Sequence, residues 1–385
     1  MQLLSGLSRE EFLKQYWQKK PLLIRQAFPD YQSPLAAEEL GGLACEEGVE
    51  SRLIMEQGGD KPWQLRHGPF KESDFTSLPD SHWTLLVQAV DHLIPELACL
   101  LDEFDFIPSW RIDDLMISFA QDQGSVGPHL DNYDVFLLQV QGQRHWHIDD
   151  KEFTESDFKK DTDLRLLNNF ESKQDWVLEA GDMLYLPPGV AHHGIAIDDC
   201  LTFSIGFRAP TRKELVSAYT DEWDEGNDIE EDKFYSDPGL KIQESPGEIK
   251  AEHLQAIREL MLPTITDEGK FNSWFGCYIT ENTGADIDYD EKELSADDFN
   301  NKFKQFGCLN RSGQIRFSYI VNDDSVALFV AGTEFNLSNS FLLLVSYICS
   351  HHLIDYASVI ACCDEDAALD FIFKLQRAGY FFFYD

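Results

Sequence analysis

The spacing of hydrophobic residues changes character twice along the chain. Residues 8–17, SREEFLKQYW, place apolar side chains at helical spacing, and Glu11 follows Ser8 at the distance of a capping box. From 112 to about 208 the apolar residues fall instead in short segments separated by Gly, Pro and Asp turns. Helical spacing returns after Pro210. The pattern predicts a helix, then a β domain, then a mainly helical region.

The central part of the chain has the strand spacing of an antiparallel sandwich or barrel. Strands are predicted at 22–24, 112–120, 134–141, 143–149, 183–187 and 200–207. A cupin-type jelly roll fits this order, because it surrounds a central cavity with inward-facing side chains. The segment 150–180, rich in Asp, Lys and Asn, is interpreted as a solvated insertion. Residues 34–100 alternate short helices with irregular segments and offer no catalytic constellation.

Two helices and an acidic run are predicted directly after the β region. Thr211 with Glu214 caps the first helix, and residues 245–248 open the second, which has an apolar stripe. Between them, residues 221–232 contain eight acids and no base. This run is either a solvated face or, because the helices cannot bury their stripes alone, part of a self-association region.

The last part of the chain, 271–385, alternates helices and strands in an order compatible with a winged helix. Helices are predicted at 295–306, 338–350 and 364–378, and strands at 314–321 and 325–331. This region has seven Lys and Arg against 17 Asp and Glu. Phosphate binding requires clustered cations, so nucleic-acid binding is not expected.

Composition narrows the class of protein. The 385 residues are enough for two or three domains, and 31 basic against 69 acidic residues give a net charge of −38. Nucleic acid and anionic membranes are therefore poor partners, whereas a basic protein is an attractive one. Eight cysteines without a CxxC pair, no secretory signal and no apolar run of transmembrane length predict a soluble cytoplasmic protein.

A candidate metal site begins at His129-Leu130-Asp131, which follows Gly127-Pro128. In an extended strand, residues i and i+2 point to the same face, so the imidazole and the carboxylate would converge. The triplet alone is common in a chain so rich in aspartate. His147-Ile148-Asp149 has the same form. The interpretation therefore depends on a third ligand.

The third ligand is predicted in GDMLYLPPGVAHHG, residues 181–194, where a strand enters a Pro-Pro-Gly turn before two histidines. Two histidines and one carboxylate leave coordination positions open, as in non-haem Fe(II) oxygenases, whereas structural zinc sites are closed by four ligands. His192 and His193 point in opposite directions in a strand, and spacing alone does not choose between them. His145 and His147 are interpreted as ordinary strand residues.

An oxygenase of this class also requires a cation that holds the far carboxylate of 2-oxoglutarate. Arg144 lies on the strand after the His-x-Asp segment, and its guanidinium can form a bidentate pair with a carboxylate. Ser118, on the preceding strand, can add a hydrogen bond. The alternative is that both are ordinary strand residues. Asp122, in the loop between them, is a candidate contact for a basic substrate.

Taken together, these motifs resemble those of the bacterial jumonji-C ribosomal oxygenases, also called ribosomal protein arginine hydroxylases. The similar stretches are FLKQYWQKKPLLI, WRIDDLMISFA, VGPHLDNYDVF, GQRHW, GDMLYLPPGVAHHG and FSIGFRAP. They cover the half with the candidate site densely, whereas the C-terminal half is similar mainly in architecture. One departure is His193, where relatives often have an acidic residue.

The resemblance implies an α+β protein with three regions. A jumonji-C domain would occupy 1–210, with its jelly-roll core, a double-stranded β-helix, at about 100–208. A helical dimerisation region would occupy 211–270, and an acidic winged-helix-like domain 271–385. The resemblance also implies Fe(II) ligation by His129, Asp131 and His192, since the family's distal ligand is the first histidine after the Pro-Pro-Gly turn. Arg144 would hold 2-oxoglutarate, with Ser118 as the weaker candidate.

The implied reaction couples decarboxylation of 2-oxoglutarate by O2, which yields succinate and CO2, to hydroxylation of a C–H bond. The implied substrate is the β-carbon of an arginine in large-subunit ribosomal protein sixteen, a basic protein. The negative charge of this chain suits such a partner. A jumonji-type demethylase would share the iron site. A ligand-sensing cupin regulator that binds DNA is the non-enzymatic alternative.

Overall fold

The computed structural model describes residues 6–56, 63–160, 162–226, 251–281 and 294–383. Two compact units are present. The first comprises Met1–Ala209, Thr283–Ile315 and Ser346–Asp385, and the second comprises Pro210–Asn282 and Arg316–Val345. The expected boundaries at 210 and 270 stay predictions. The expected helix start at 245–248 and the acidic residues 227–232 lie outside the described residues.

The N-terminal part of the first unit is mainly β-structure. Its strands are β1 (Leu22–Ile24), β2 (Ser51–Glu56), β3 (Trp63–His67), β4 (Trp83–Val87), β5 (Ile112–Ala120), β6 (Asp134–Gln141), β7 (Arg144–Asp149), β8 (Gln174–Leu178), β9 (Met183–Leu186), β10 (Ala191–Ala196) and β11 (Cys200–Phe207). Its helices are α1 (Arg9–Gln15), α2 (Ala37–Leu43), α3 (Glu72–Phe75) and α4 (Pro95–Leu101).

The C-terminal part of the chain contains both helices and short strands. The helices are α5 (Arg212–Gly226), α6 (Ala251–Thr266), α7 (Glu268–Thr280), α8 (Ala296–Phe306), α9 (Leu342–Ser350), α10 (Tyr356–Cys362) and α11 (Glu365–Arg377). The strands are β12 (Cys308–Arg311), β13 (Phe317–Val321), β14 (Ser325–Val330), β15 (Thr333–Ser338), β16 (Leu353–Asp355) and β17 (Phe381–Phe382). None of the helices described is both long and apolar enough to cross a membrane.

Two sheets form the jelly roll. One has eight strands in the order β1-β9-β6-β11-β5-β4-β2-β3, and the other has three in the order β10-β7-β8. A buried apolar cluster contains residues from both sheets: Val135, Leu137, Leu184 and Leu186 from the large one, and Trp146, Ile148 and Leu178 from the small one. The sheets therefore pack face to face, and the cupin-type jelly roll is confirmed.

The predicted helix caps are present. Ser8 and Glu11 form the capping box of α1, and Thr211 and Glu214 bond reciprocally at the start of α5. Asp364 accepts a hydrogen bond from the backbone N–H of Ala367 and caps α11. The helix expected from 338 begins later, at Leu342, because 333–338 continue the sheet as β15.

The interpretation of 150–180 as a solvated insertion is wrong in part. Its last residues form β8, which pairs with β7 from Arg144 to Ile148. Leu166 and Leu167 are buried, and the backbone N–H of Leu167 donates to the carbonyl of Pro128. The segment was predicted to be solvated because its composition is polar, although two of its apolar residues pack beside the candidate metal site.

A buried carboxylate joins the N-terminal region to the large sheet. Asp134, at the start of β6, is fully buried and accepts hydrogen bonds from Tyr185 Oη (2.6 Å), Gln18 Nε2 (2.9 Å) and Arg111 Nη2 (3.3 Å). Each carboxylate oxygen has a donor, which a buried charge requires. The cluster connects residues 18, 111, 134 and 185.

We expect Asp134→Ala to lower the free energy of unfolding by about 3–5 kcal/mol, because it leaves the buried donors without their acceptor. Urea denaturation measures the change. Asp105→Ala is the matched control, since it breaks an Arg–Asp pair (Arg9 Nη1 to Asp105 Oδ1, 2.7 Å) whose side chains are half exposed. That loss should stay below about 1 kcal/mol. Equal losses in the two variants would contradict the expectation.

Candidate active site

Three side chains expected to bind a metal lie together inside the jelly roll. One ligand atom from each of His129, Asp131 and His192 lies within 4.8 Å of the other two. It is the only such group of three found among the residues that the structure describes. Asp131 Oδ2 lies 3.6 Å from His192 Nε2, and the rings of His129 and His192 are 4.3 Å apart.

Backbone pairing places the two histidines opposite each other. The backbone N–H of His129 donates to the carbonyl of His192 (3.1 Å), and the N–H of His192 donates to the carbonyl of His129 (2.8 Å). The expected strand through the His-x-Asp triplet is reduced to this isolated bridge before β6. The backbone N–H of Gly189, in the Pro-Pro-Gly turn, donates to the carbonyl of Asp131 and fixes the position of that residue.

Both histidines have the tautomer that a metal ligand needs. His129 Nδ1 lies 2.9 Å from the carbonyl oxygen of Gly127, and His192 Nδ1 lies 3.1 Å from that of Val190. A carbonyl only accepts, so Nδ1 is the donor in each ring and Nε2 is the nitrogen left for a metal. Burial and the neighbouring His129 lower the pKa of His192 to about 4, which keeps it neutral. The donor set fits a divalent metal with open positions.

The structure distinguishes His192 from His193, which spacing could not do. His192 is buried and faces His129, whereas His193 points away, toward Phe170 (ring centroids 6.0 Å apart) and His147 (6.3 Å). Among the described residues, the rival triplet has no third ligand, and His145 Nε2 is within hydrogen-bond distance (3.1 Å) of Asp175 Oδ2.

We expect His192→Ala to lower the affinity for Co(II) strongly. The loss should exceed the roughly 10- to 100-fold loss that is typical when a residue hydrogen-bonded to a metal ligand is changed. His193→Ala is the control from the same strand, and its affinity should stay within about threefold of the wild type. Calorimetric titration of the metal-free protein measures both. The assignment would be wrong if His193→Ala had the larger effect.

Arg144 is a buried cation beside this cluster. Its side chain is almost completely buried, and burial lowers its pKa. Nη1 donates to Ser118 Oγ (3.3 Å) and Nη2 donates to the carbonyl of Gly194 (3.4 Å), whereas Nε has no hydrogen-bond partner in the part of the chain that the structure describes. Among the described residues, the groups that shift the pKa of Arg144 include no carboxylate. A buried guanidinium with two long hydrogen bonds has capacity for an anion.

The three candidate metal ligands and Arg144 line one cavity of about 490 Å³. Its lining includes Ser118 and Thr202 near Arg144, and apolar side chains such as Val135, Leu137 and Trp146. The size is within the usual range for sites that bind small molecules. All five residues expected from the sequence (His129, Asp131, His192, Arg144 and Ser118) line this cavity.

Sequence reasoning missed the far side of the cavity. Arg52 and Gln88 line it, although the segment 34–100 offered no catalytic pattern. Asp113, Asp114 and Tyr133 also line it, whereas the suggested Asp122 does not. The alternation of strand β5 is the sequence feature that could have identified Asp114, since Asp114, Met116 and Ser118 share one face.

Two family models match the chain. A model described as JmjC domain matches residues 99–215, and one described as ROXA-like winged helix matches residues 263–382. The expected JmjC domain and the expected winged-helix domain are therefore both present.

Known proteins are similar over most of the chain. The ribosomal protein uL16 3-hydroxylase of Escherichia coli is 38% identical over 321 residues, which are 82% of this chain and 83% of that protein. A probable ribosomal oxygenase of Haemophilus influenzae is 36% identical, over 70% of this chain and 67% of its own length. The solved structure of the E. coli ribosomal oxygenase YcfD with cobalt and 2-oxoglutarate has a TM-score of 0.83 and 34% identity, and the match covers 99% of each chain. On these grounds the chain belongs to the bacterial JmjC ribosomal oxygenases.

Proposed function

We propose that this protein is a 2-oxoglutarate- and Fe(II)-dependent oxygenase that hydroxylates the β-carbon of an arginine in ribosomal protein uL16. The observation that supports it best is the cavity that combines the His129, Asp131 and His192 ligand atoms with the buried cation Arg144. The E. coli relative is a uL16 3-hydroxylase, and a solved relative contains cobalt and 2-oxoglutarate.

The residues of the chain have separable tasks. His129, Asp131 and His192 would hold the iron, and three ligands leave positions for the cosubstrate and O2. When bound, the iron supplies the chemistry that converts 2-oxoglutarate and O2 into succinate, CO2 and one inserted oxygen atom. Arg144 would bind the far carboxylate of 2-oxoglutarate, with Ser118 Oγ as a second donor. Apolar side chains in the lining, such as Val135, Leu137 and Trp146, would limit the access of water to the reacting groups.

The opposite end of the cavity suits the side chain of an arginine. Asp114 Oδ2 accepts from Gln88 Nε2 (2.7 Å) and from the backbone of Ala89 (2.8 Å). Asp114 Oδ1 lies 3.6 Å, and Tyr133 Cε2 3.9 Å, from the point where a Cβ would sit on Gly206. A carboxylate, an aromatic ring and free space together favour a guanidinium, through an ion pair and a cation–π contact.

The test is a reaction with purified uL16 or a peptide that contains its arginine. With Fe(II), ascorbate and 2-oxoglutarate, we expect one arginine to gain the mass of one oxygen atom. Fragmentation places the hydroxyl on the β-carbon. If the mass of uL16 does not change under conditions in which 2-oxoglutarate binds, the substrate assignment is wrong. Release of formaldehyde from a methylated peptide would favour a demethylase instead.

The charge of the chain supports a basic partner and not nucleic acid. A net charge of −38 accelerates encounter with a cationic ribosomal protein, since complementary potentials steer association. Work on a ribosomal protein is consistent with a cytoplasmic location, which we include in the proposal. Sequence-specific DNA binding at physiological salt would favour the regulator alternative.

We also propose that the protein is a homodimer through the helical region of the second unit. Helix α6 has an exposed apolar stripe at helical spacing: Leu254, Ile257, Met261, Leu262 and Ile265. Met261 is 63% exposed and Ile265 54%. A contiguous stripe of this kind on a helix fits a symmetric contact with a second copy.

We expect Ile257→Glu to convert the dimer into a monomer, because it places a charge at the centre of the apolar stripe. Light scattering after gel filtration measures the mass at micromolar concentration. Gln255→Glu is the matched control, since it adds the same charge on the same helix beside Glu259 and outside the stripe. Dissociation by both variants, or by neither, would count against this surface.

A further inference from the structure

Gly194 lies close to both the candidate metal ligand His192 and the buried cation Arg144. It lies on β10 two residues after His192, so both face the same side of the small sheet. Its cross-strand partner is Trp146, and the next inward position, Ala196, pairs with Arg144. Its φ is not among the positive values of the chain. The backbone conformation therefore does not require glycine here.

The space above Gly194 is filled by two side chains. A Cβ at this position would lie 2.7 Å from Arg144 Nε, 2.7 Å from Trp146 Cζ3 and 2.8 Å from Trp146 Cη2. These separations are well below a van der Waals contact. The guanidinium carbon of Arg144 lies 4.8 Å from the centroid of the Trp146 ring, and Nη2 donates to the Gly194 carbonyl. Arg144 thus lies across the bare backbone of residue 194 and against the indole.

We propose that Gly194 is a positioning residue for the cosubstrate anion, acting through Arg144. Because residue 194 has no side chain, the guanidinium can settle on the indole and reach Ser118 Oγ with its Nη1 donor. An arginine fixed in this way loses less conformational freedom when it binds a carboxylate. The inference rests on the proposed function, since it assumes that Arg144 binds the far carboxylate of 2-oxoglutarate.

The proposal predicts a selective defect in Gly194→Ala. An added Cβ displaces Arg144 or the indole, so the affinity for 2-oxoglutarate should fall by about tenfold or more. Pyruvate has the same 2-oxo acid group but no far carboxylate, and its affinity should stay within about twofold. Calorimetric titration of the Co(II)-loaded protein measures both ligands without turnover. The Co(II) affinity itself should be unchanged.

Gly206→Ala is the matched control in the same cavity. There the new Cβ would meet nothing closer than Asp114 Oδ1 at 3.6 Å, which is an ordinary contact. It should leave the affinity for 2-oxoglutarate unchanged and raise KM for the arginine peptide. The two glycine variants should therefore affect different substrates.

A double-mutant cycle tests whether Gly194 acts through Arg144. Alanine has no atom at the position of Arg144 Nε, so adding Gly194→Ala to Arg144→Ala should change the remaining 2-oxoglutarate affinity by less than about twofold. If Gly194→Ala does not fold, Trp146→Phe provides a second test. It shortens the ring under the guanidinium and should also weaken 2-oxoglutarate more than pyruvate.

Equal weakening of 2-oxoglutarate and pyruvate, or an undiminished effect in the Arg144→Ala background, would overturn the proposal and leave Gly194 as a packing residue. Wild-type affinity in Gly194→Ala would overturn it as well. Failure of the wild-type protein to bind 2-oxoglutarate at all would instead refute the proposed function. These outcomes are distinguishable in the same set of titrations.

Discussion

Asp131→Ala is expected to abolish hydroxylation. The loss of activity should be well beyond the roughly 10- to 100-fold loss caused by changing a residue that hydrogen-bonds to a metal ligand. Asp131 is the one anion in the cluster, and its carboxylate lies 3.6 Å from His192 Nε2. Without it, two neutral imidazoles would have to hold a dication with no compensating charge. The variant should therefore fail at metal binding, before any step of the reaction.

Two measurements separate this failure from misfolding. Co(II) should raise the Tm of the wild-type protein by mass action and should not raise that of Asp131→Ala. The metal-free proteins should unfold within about 0.5 kcal/mol of each other, because a partly exposed carboxylate is lost. Asp175→Ala, beside the rival His145 and His147, should retain full activity. Residual hydroxylation above a tenth of the wild-type rate in Asp131→Ala would contradict the assignment.

Arg144→Gln is expected to weaken 2-oxoglutarate by about 100-fold or more while making the ligand-free protein more stable. A bidentate charged pair contributes about 1.5–3 kcal/mol for each hydrogen bond to the carboxylate, and glutamine retains only a neutral donor. Stability should change in the opposite direction. Arg144 is a buried charge, and no carboxylate among the described residues is found to shift its pKa, so its removal ends a desolvation cost that is not offset there.

The opposite signs make this prediction specific. Thermal unfolding of Arg144→Gln without ligand should show a Tm at or above that of the wild type, and 2-oxoglutarate should no longer raise it. Arg165→Gln is the matched control, because Arg165 also lines the cavity but is more than half exposed and pairs with Glu155 at 2.6 Å. Its 2-oxoglutarate affinity should stay within about threefold. A lower Tm and retained binding in Arg144→Gln would contradict both parts.

Local sequence rules predicted the parts of the fold that depend on neighbouring residues. Ser8 and Glu11 form their capping box because the required atoms lie within one helical turn. Strands β5, β6 and β11 match the expected ranges within one residue, since strong apolar runs bounded by turns leave little freedom. Strand β10 was not predicted, because AHHGIA lacks the apolar density of a strand and forms one by pairing with β7.

Contacts inside the jelly roll also could not be predicted from local sequence. Leu166 lies in a polar segment, and its burial depends on packing against Gly127, about forty positions earlier in the chain. Gln88 reaches Asp114 across neighbouring strands β4 and β5. No periodicity within either segment contains this information, because both contacts are long-range.

The sequence by itself determined the candidate metal ligands, the candidate cation and the family resemblance, since these depend on short motifs such as HLD, GQRHW and PPGVAHHG. It left His192 and His193 equivalent, apart from the resemblance. Only the tertiary structure decided between them: β10 lies beside the His-x-Asp segment in one register, and the alternation of a strand turns one histidine inward and the other outward. That register is set by packing between two sheets, which no local pattern encodes.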